Sequence, residues 1–231
     1  MPTYLIHTCN NRLWYVKDFL IPSMLEQGIP EEDILVYQDK NCIGNLRAWV
    51  DSCNRLVKQC EEKNILGVWH LQDDVVISKT FAERTKQYDY GLVCGFTCSY
   101  DVDIPAGEFY YEEEMMWYSF PCIRIPTYML KRFTEWANLN LWQSNYFKEW
   151  VVKNKADDLV FKEWVYDQRE FNQCKHLNLA PNLVDHIDYM LGGTVANKQR
   201  DPNYNTRSKY WDEEDVIKDL EAKIKNRIIN T

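Results

Sequence analysis

Trp69-His-Leu-Gln-Asp-Asp-Val-Val-Ile-Ser-Lys-Thr-Phe81 sets two adjacent carboxylates, Asp73 and Asp74, between apolar runs. The run ahead of them, Ile65-Leu-Gly-Val-Trp-His-Leu71, reads as a buried strand, and Val75-Val-Ile77 follows at once. Acids at the end of a buried strand are costly unless something cationic meets them. A divalent ion held by hard oxygen ligands, with phosphate completing its shell, is the usual answer. The plain alternative is a solvated turn ahead of a helix cap. The stretch predicts a site at a strand end and, with it, nucleotide-phosphate chemistry.

Outward from this stretch, strands and helices alternate. Tyr4-Leu-Ile-His-Thr8 reads as a first strand, followed by the loop Asn10-Asn11-Arg12. Residues 13–27 read as a helix closed by Gly28, with Pro22 placed to kink or divide it. Ile34-Leu-Val-Tyr37 is a second strand, ending at Asp39. Residues 45–62 read as a helix whose buried stripe includes Leu46, Trp49, Cys53 and Leu56. A helix near 81–88, capped by Ser78 or Thr80, precedes a fourth strand over 91–96. This order predicts an α/β fold with a mixed, mostly parallel sheet flanked by helices. Such sheets bind ligands at the carboxyl ends of their strands. Asn10, Arg12, Asp39, Asp73 and Asp74 all fall at those ends.

From residue 101 the texture changes. A loop over 101–107 leads to the acidic-then-apolar Glu112–Trp117. Residues 121–125 read as a strand, 126–136 as a helix, and 146–153 and 157–166 as further helices. The tail, 212–230, is an amphipathic helix with acids in its first turn and Val216, Leu220, Ile224 and Ile228 on one face. That face packs on its own domain or forms a homodimer seam. A single domain over 1–211, with halves 1–100 and 101–211, followed by the helix 212–231, is the expected organisation.

With 231 residues, 45% of them hydrophobic, the chain can bury a substantial core. Its net charge of −8 disfavours broad binding to a nucleic-acid backbone. Only Lys131 with Arg132, and the stretch with Lys198, Arg200, Arg207 and Lys209, offer a local basic groove. Nine Trp and fifteen Tyr supply rings for packing or for stacking on sugars and bases. No apolar run is long enough to span a bilayer. Met1-Pro-Thr-Tyr4 leads straight into a strand with no leader pattern, so the eight Cys are expected to be reduced thiols in a cytoplasmic chain. Cys94 and Cys98 have no second pair at zinc spacing.

Three groups of residues carry candidate chemistry beyond Asp73. Asp74 and His186 form a metal-ligand pair if the short strand ending at His186 reaches the acids; a neutral imidazole suits such an ion. A structural histidine is the plain alternative. Asp157 and Asp158 read as an N-cap and first-turn acid, or as a carboxylate that deprotonates an acceptor hydroxyl. Arg12, Lys40, Arg47 and Arg207 are candidate diphosphate or base contacts, or surface charges. Asn41-Cys-Ile-Gly-Asn45 is neither a P-loop nor a dinucleotide fingerprint.

Taken in order, the elements resemble nucleotide-sugar-dependent glycosyltransferases of the GT-A fold. The likeness rests on strand-Thr-x-x-x-Arg (Thr8 to Arg12), Asp39 with the Gly44-Asn45 helix, Leu71-Gln-Asp-Asp-Val75, Asp157-Asp158 and Pro181-Asn-Leu-Val-Asp-His186. It covers roughly residues 3 to 210. It implies a GT-A-like, Rossmann-like sheet whose first half binds the nucleotide sugar and whose second half binds the acceptor. It further implies a divalent metal (Mn2+ or Mg2+) on Asp74 and His186, and a UDP-sugar donor. Donor contacts would come from Thr8, Asn10, Arg12, Asp39, Lys40, Asn45, Arg47, Gln72, Asp73 and Arg207, with Asp157 or Asp158 as base if the enzyme inverts. The acceptor would be a hydroxyl of a glycan, a protein or a modified DNA base, in a bacterial or phage-infected cell. Residues 108–117, with Tyr110, Tyr111 and Trp117, would form the acceptor wall or a lid. Gln72 departs from the pattern, standing where the motif's first acid belongs. The rivals are a nucleotidyltransferase, a carbohydrate- or partner-binding module with a degenerate metal site, and an interaction protein using its C-terminal helix, whose removal after Trp211 would abolish the function without harm to the sheet.

Overall fold

Thr3–Cys9 (β1) alternates between two interiors: Tyr4 and Ile6 face one apolar core and Leu5 the other. A strand buried on both faces must lie inside a sheet covered by helices on each side. The computed structural model describes residues 2–41, 43–96, 107–110, 120–141, 160–161, 164–165, 177–191 and 211–230. β1 pairs in parallel with Ile34–Asp39 (β2) on one side and Gly67–Gln72 (β3) on the other. Val75–Ile77 (β4) follows the acid pair and leaves the main sheet. Val93–Cys94 (β5), Gly107–Tyr110 (β6), Cys122–Pro126 (β7) and Leu177–Ala180 (β8) complete it, in the order β2-β1-β3-β7-β5-β8-β6. β7 runs antiparallel to both β3 and β5, and β6 antiparallel to β8. The other five strands share one direction, giving the expected mixed, mostly parallel sheet.

Helix α1 (13–26) begins as an α-helix, passes through a π-helical stretch at Val16–Leu20 and resumes as α at Ile21. The change of register lies just ahead of Pro22, which has no N–H to give the preceding turn. The expected division of this helix is therefore present as a π-turn. Asn45–Lys63 (α2) starts after Gly44, whose φ of 95° suits only glycine, and ends at Asn64 in the left-handed region. Phe81–Gln87 (α3) starts at Thr80, whose side chain makes no capping bond. The helix expected to end at Trp136 runs on: Thr127–Asn140 (α4). Glu214–Asn230 (α5) is the tail helix. Among the described residues no helix is long and apolar enough to cross a membrane.

On one face of the sheet, α1, α3 and α5 pack over Tyr4, Ile6, Trp69 and Leu71; on the other, α2 and α4 pack over Leu5, Val68, Ile123 and Ile125. The second core is aromatic: Trp49 lies 4.9 Å from Phe120, 4.8 Å from Phe133 and 5.4 Å from Phe161 between ring centroids. In the stretch expected to be helical over 157–166, Val160, Phe161, Trp164 and Val165 are helical and buried. The expected helix over 146–153 and the segment Glu112–Trp117 lie outside the described residues. A separate two-stranded sheet joins β4 to Val184–His186 (β9), with Val75 opposite His186. This pairing carries His186 to the acids.

Candidate active site

β3 ends beside the carboxyl end of β1, and the turn after it drops Asp73 and Asp74 into a buried cluster. Asp73 is held from three directions. Its Oδ2 accepts the Thr8 hydroxyl at 2.8 Å and the Cys9 amide at 3.2 Å, and its Oδ1 accepts Arg12 Nη1 at 3.0 Å. The same Arg12 nitrogen also donates to Asp74 Oδ2. The other oxygen of Asp74, Oδ1, faces His186 Nε2 at 3.1 Å without the alignment of a hydrogen bond. The main chain fixes this approach: the Ile187 amide donates to the Asp74 carbonyl at 2.8 Å. The Tyr15 hydroxyl donates to the Val75 carbonyl, also at 2.8 Å.

Arg12, Asp73, Asp74 and His186 are all less than a tenth exposed, so charge acts here through little water. Burial, then the neighbouring Asp74, pushes Asp73 up from the usual carboxylate range. Asp74 also suffers burial, but His186 and Arg12 outweigh it and hold this carboxyl down. Burial opposes a charge on His186, yet Asp74 and, more weakly, Asp188 raise its imidazole above the ordinary value. Asp188 Oδ1 lies 3.9 Å from His186 Nδ1, beyond hydrogen-bond reach, on the side of the ring away from Asp74. Burial, then the two acids, raises the Tyr15 phenol, which stays neutral.

Asp74 Oδ1 and His186 Nε2 fit a divalent ion. Adjacent ligands about 2.1 Å from one octahedral centre stand about 3 Å apart, which is the separation these two buried, convergent atoms have. Among the described residues no group of three His, Cys, Asp or Glu forms a complete cage. Substrate oxygens and water would fill the other positions.

The remaining expected donor contacts form a rim rather than a cluster. Asn10 bridges β1 and β2: its Oδ1 accepts Gln38 Nε2 at 2.7 Å and its Nδ2 donates to the Lys40 carbonyl at 3.0 Å. Asp39 Oδ1 accepts the amides of Asn41 and Ile43, each at 3.2 Å, and so shapes the loop into α2. Lys40 and Arg47 are exposed, and Asn45 is the first residue of α2. Gln72 is half-buried, and its backbone N–H donates to the Pro121 carbonyl at 3.2 Å. Of the expected basic groove, Lys131 is paired with Glu61 at 2.6 Å. Asp157, Asp158, Lys198, Arg200, Arg207 and Lys209 lie outside the described residues, as do Tyr111 and Trp117.

Cys9, Tyr15 and Asp188 belong to this cluster and carried no signal in the chain. Cys9 contributes an amide, which every residue has. Tyr15 sat in the expected apolar stripe of α1 and is distinguished only by where its hydroxyl points. Asp188 follows His186 by two residues, a spacing too common to notice.

No family model matches the chain, and no curated protein matches it. Among solved structures, A197 from STIV is similar over 80% of this chain and 85% of its own, at 14% identity and a TM-score of 0.44. A glycosyltransferase involved in the glycosylation of the major capsid of PBCV-1 is similar over 66% of this chain and 76% of its own, at 10% identity and a TM-score of 0.34.

Proposed function

We propose that this protein transfers a sugar from a nucleoside-diphosphate sugar, a UDP-sugar in our reading, to a hydroxyl acceptor, with a divalent ion on Asp74 and His186. The observation that carries the reading is the pair of buried atoms, Asp74 Oδ1 and His186 Nε2, 3.1 Å apart and outside any hydrogen bond. Asp74 stands in the turn just before β4 and His186 ends β9, so the β4–β9 pairing brings them together where the sheet's parallel strands end. A buried carboxylate oxygen and a ring nitrogen that face each other at ion-pair distance without an aligned hydrogen bond favour a ligand held by both. A GT-A-like order of elements supports the same reading: Thr8 and Arg12 after β1, Asp39 after β2, the acids after β3. When bound, Mn2+ or Mg2+ would neutralise the departing diphosphate. Arg12 adds positive charge beside it, and Asn10, Lys40 and Arg47 stand at the rim. Asp157 or Asp158 would accept the proton of the acceptor hydroxyl if the reaction inverts.

Arg12 favours a second reading. It already pairs with both acids, so a binding module could hold them in place with no metal. Thermal melting with UDP or GDP, with and without Mn2+, separates the two. A ligand at a hundred times its Kd stabilises the folded state by about 2.7 kcal/mol. The transferase reading expects a rise in Tm of several degrees with one nucleotide plus Mn2+, abolished in Asp74→Asn. A metal-independent rise, unchanged in that variant, would favour the module. No rise with any nucleotide would sink the donor site.

A further inference from the structure

We infer that the cavity beside α3 is a second site, which binds a neutral saccharide and anchors a glycan acceptor; the binding belongs to the cavity itself, and only the acceptor role rests on the transferase reading above. The cavity, about 430 Å3, lies between α3, the start of α5 and the end of β8. Small-molecule sites occupy roughly 300–1,000 Å3. β8 runs parallel to β5, and both β5 and β3 run antiparallel to β7, so β8 shares the direction of β3. Leu179 and Ala180, on the cavity wall, therefore stand at the same end of the sheet as the acids. Asn182 also lines the cavity, and His186 follows it by four residues, a stretch that spans at most about 14 Å. A short oligosaccharide covers that distance.

Arg84 is the group in the cavity with hydrogen-bonding capacity to spare. It is half-buried, and among the described residues its guanidinium makes one hydrogen bond, from Nη2 to the Pro181 carbonyl at 2.8 Å, and no ion pair. A guanidinium carries five N–H donors. Burial holds it below its ordinary value, although Tyr88, Asp212, Cys122 and Glu213 act the other way. Two carboxylates line the same cavity: Asp212 is exposed, and Glu213 uses Oε2 to accept the Lys79 amide at 2.8 Å. The Lys79 ammonium, just outside, is paired with Asp215. This mixture selects the ligand. An anion would meet Asp212 and Glu213, and a cation would meet Arg84. A neutral polyol meets neither repulsion, because a hydroxyl accepts from a guanidinium and donates to a carboxylate. Leu179, Ala180 and Pro181 give the cavity an uncharged wall for the C–H face of a sugar ring.

Saturation-transfer NMR tests this with the methyl glycosides of glucose, galactose, mannose and N-acetylglucosamine. Methyl glucuronide and the zwitterion alanine are the charged controls. In the wild type at least one neutral glycoside should bind, with a Kd in roughly the millimolar range, and should stay bound when UDP and Mn2+ are added in excess. Arg84→Met should weaken this binding about tenfold or more, since hydrogen bonds from a charged donor are lost. Binding of UDP with Mn2+ should be the same in that variant as in the wild type. Should Arg84→Met not fold, Asp212→Ala, at an exposed position, decides, and should weaken the glycoside several-fold. Unchanged glycoside binding in a folded Arg84→Met protein, or in Asp212→Ala where that arm is needed, overturns the site. It is equally overturned if no neutral glycoside binds, if only a charged control binds, or if UDP with Mn2+ displaces the glycoside; each of these leaves the donor-site reading intact. A wild type that binds the glycoside but not UDP with Mn2+ removes the donor-site reading and the acceptor role, and leaves the saccharide site standing.

Discussion

Asp73 and Asp74 are chemically identical neighbours that the fold has given different work. Asp73 accepts a hydroxyl, an amide and a guanidinium, and ties the end of β1 to the end of β3. Asp73→Ala should therefore cost about 3–5 kcal/mol of stability, since it leaves the buried Thr8 hydroxyl and the Cys9 amide without their acceptor and takes from Arg12 one of its two acids. Asp74→Asn should cost only about 1 kcal/mol, because Arg12 keeps Asp73 and the shape of the side chain is retained. Urea denaturation of both variants checks this; equal losses would mean that the two acids share one structural role. His70 is the other residue with a measurable signature. It is buried 6.3 Å from Trp49 and 5.4 Å from Phe120 between centroids, with neither ring nitrogen in an aligned hydrogen bond. Burial, then the neighbouring His7, pushes its imidazole down from 6.5 to about 3. Below pH 6.5 the unfolded chain takes up a proton that the folded chain refuses, so this contribution to stability is lost as pH falls from 6.5 towards 3. At pH 4 the loss is about 3 kcal/mol. His70→Leu should gain on the wild type by that margin between pH 7 and pH 4 in denaturant titrations; a constant offset across the range would place the acid sensitivity elsewhere.

At the scale of elements, the tail helix α5 shows what an amphipathic pattern does and does not say. Its apolar residues Ile217, Leu220 and Ile224 enter the core shared with α1 and α3, and Val216 packs at the margin. Ile228, expected on the same face, has no described side chain. Arg227 lies 4.4 Å above the Trp14 ring and donates to Asp18 at 2.8 Å, pinning the helix against α1. A homodimer through this helix would have to use its outer face. Removing the chain after Trp211 would strip these residues from the core, so such a truncation harms the sheet as well as any partner surface. Leu220→Ala should lower stability by about 3 kcal/mol, the usual cost of a buried cavity of that size. Arg227→Ala, at a half-exposed pair, should cost less than about 1 kcal/mol. Comparable losses in the two variants, by thermal or chemical denaturation, would contradict this division between core and surface.

Across the whole molecule, one sheet separates two cores, and its centre is the most protected place in the fold. Hydrogen exchange should be slowest in β1 and β3, whose backbones are paired on both sides and covered on both faces, and faster in the edge strand β2, where Val36 is 41% exposed. Fast exchange in β1 would mean that the two cores do not fold as one unit. Much of this plan was legible in the chain. Unbroken apolar runs announce buried strands, a 3.6 period announces helices, and an acid pair after such a run announces a polar strand end, because each of these is a local preference. Pro22 marked the change of register in α1 for the same reason. What the chain alone left open is everything that depends on partners far apart in sequence. The insertion of β7 against β3, the approach of His186 through β4 and β9, the use of Asp39 as a loop cap and the seating of Arg12 on the acids instead of at the rim all depend on tertiary placement. Strand register and buried charge balance are settled only when distant segments meet, since a carboxylate's partner is whichever cation the fold brings within reach once water has been excluded.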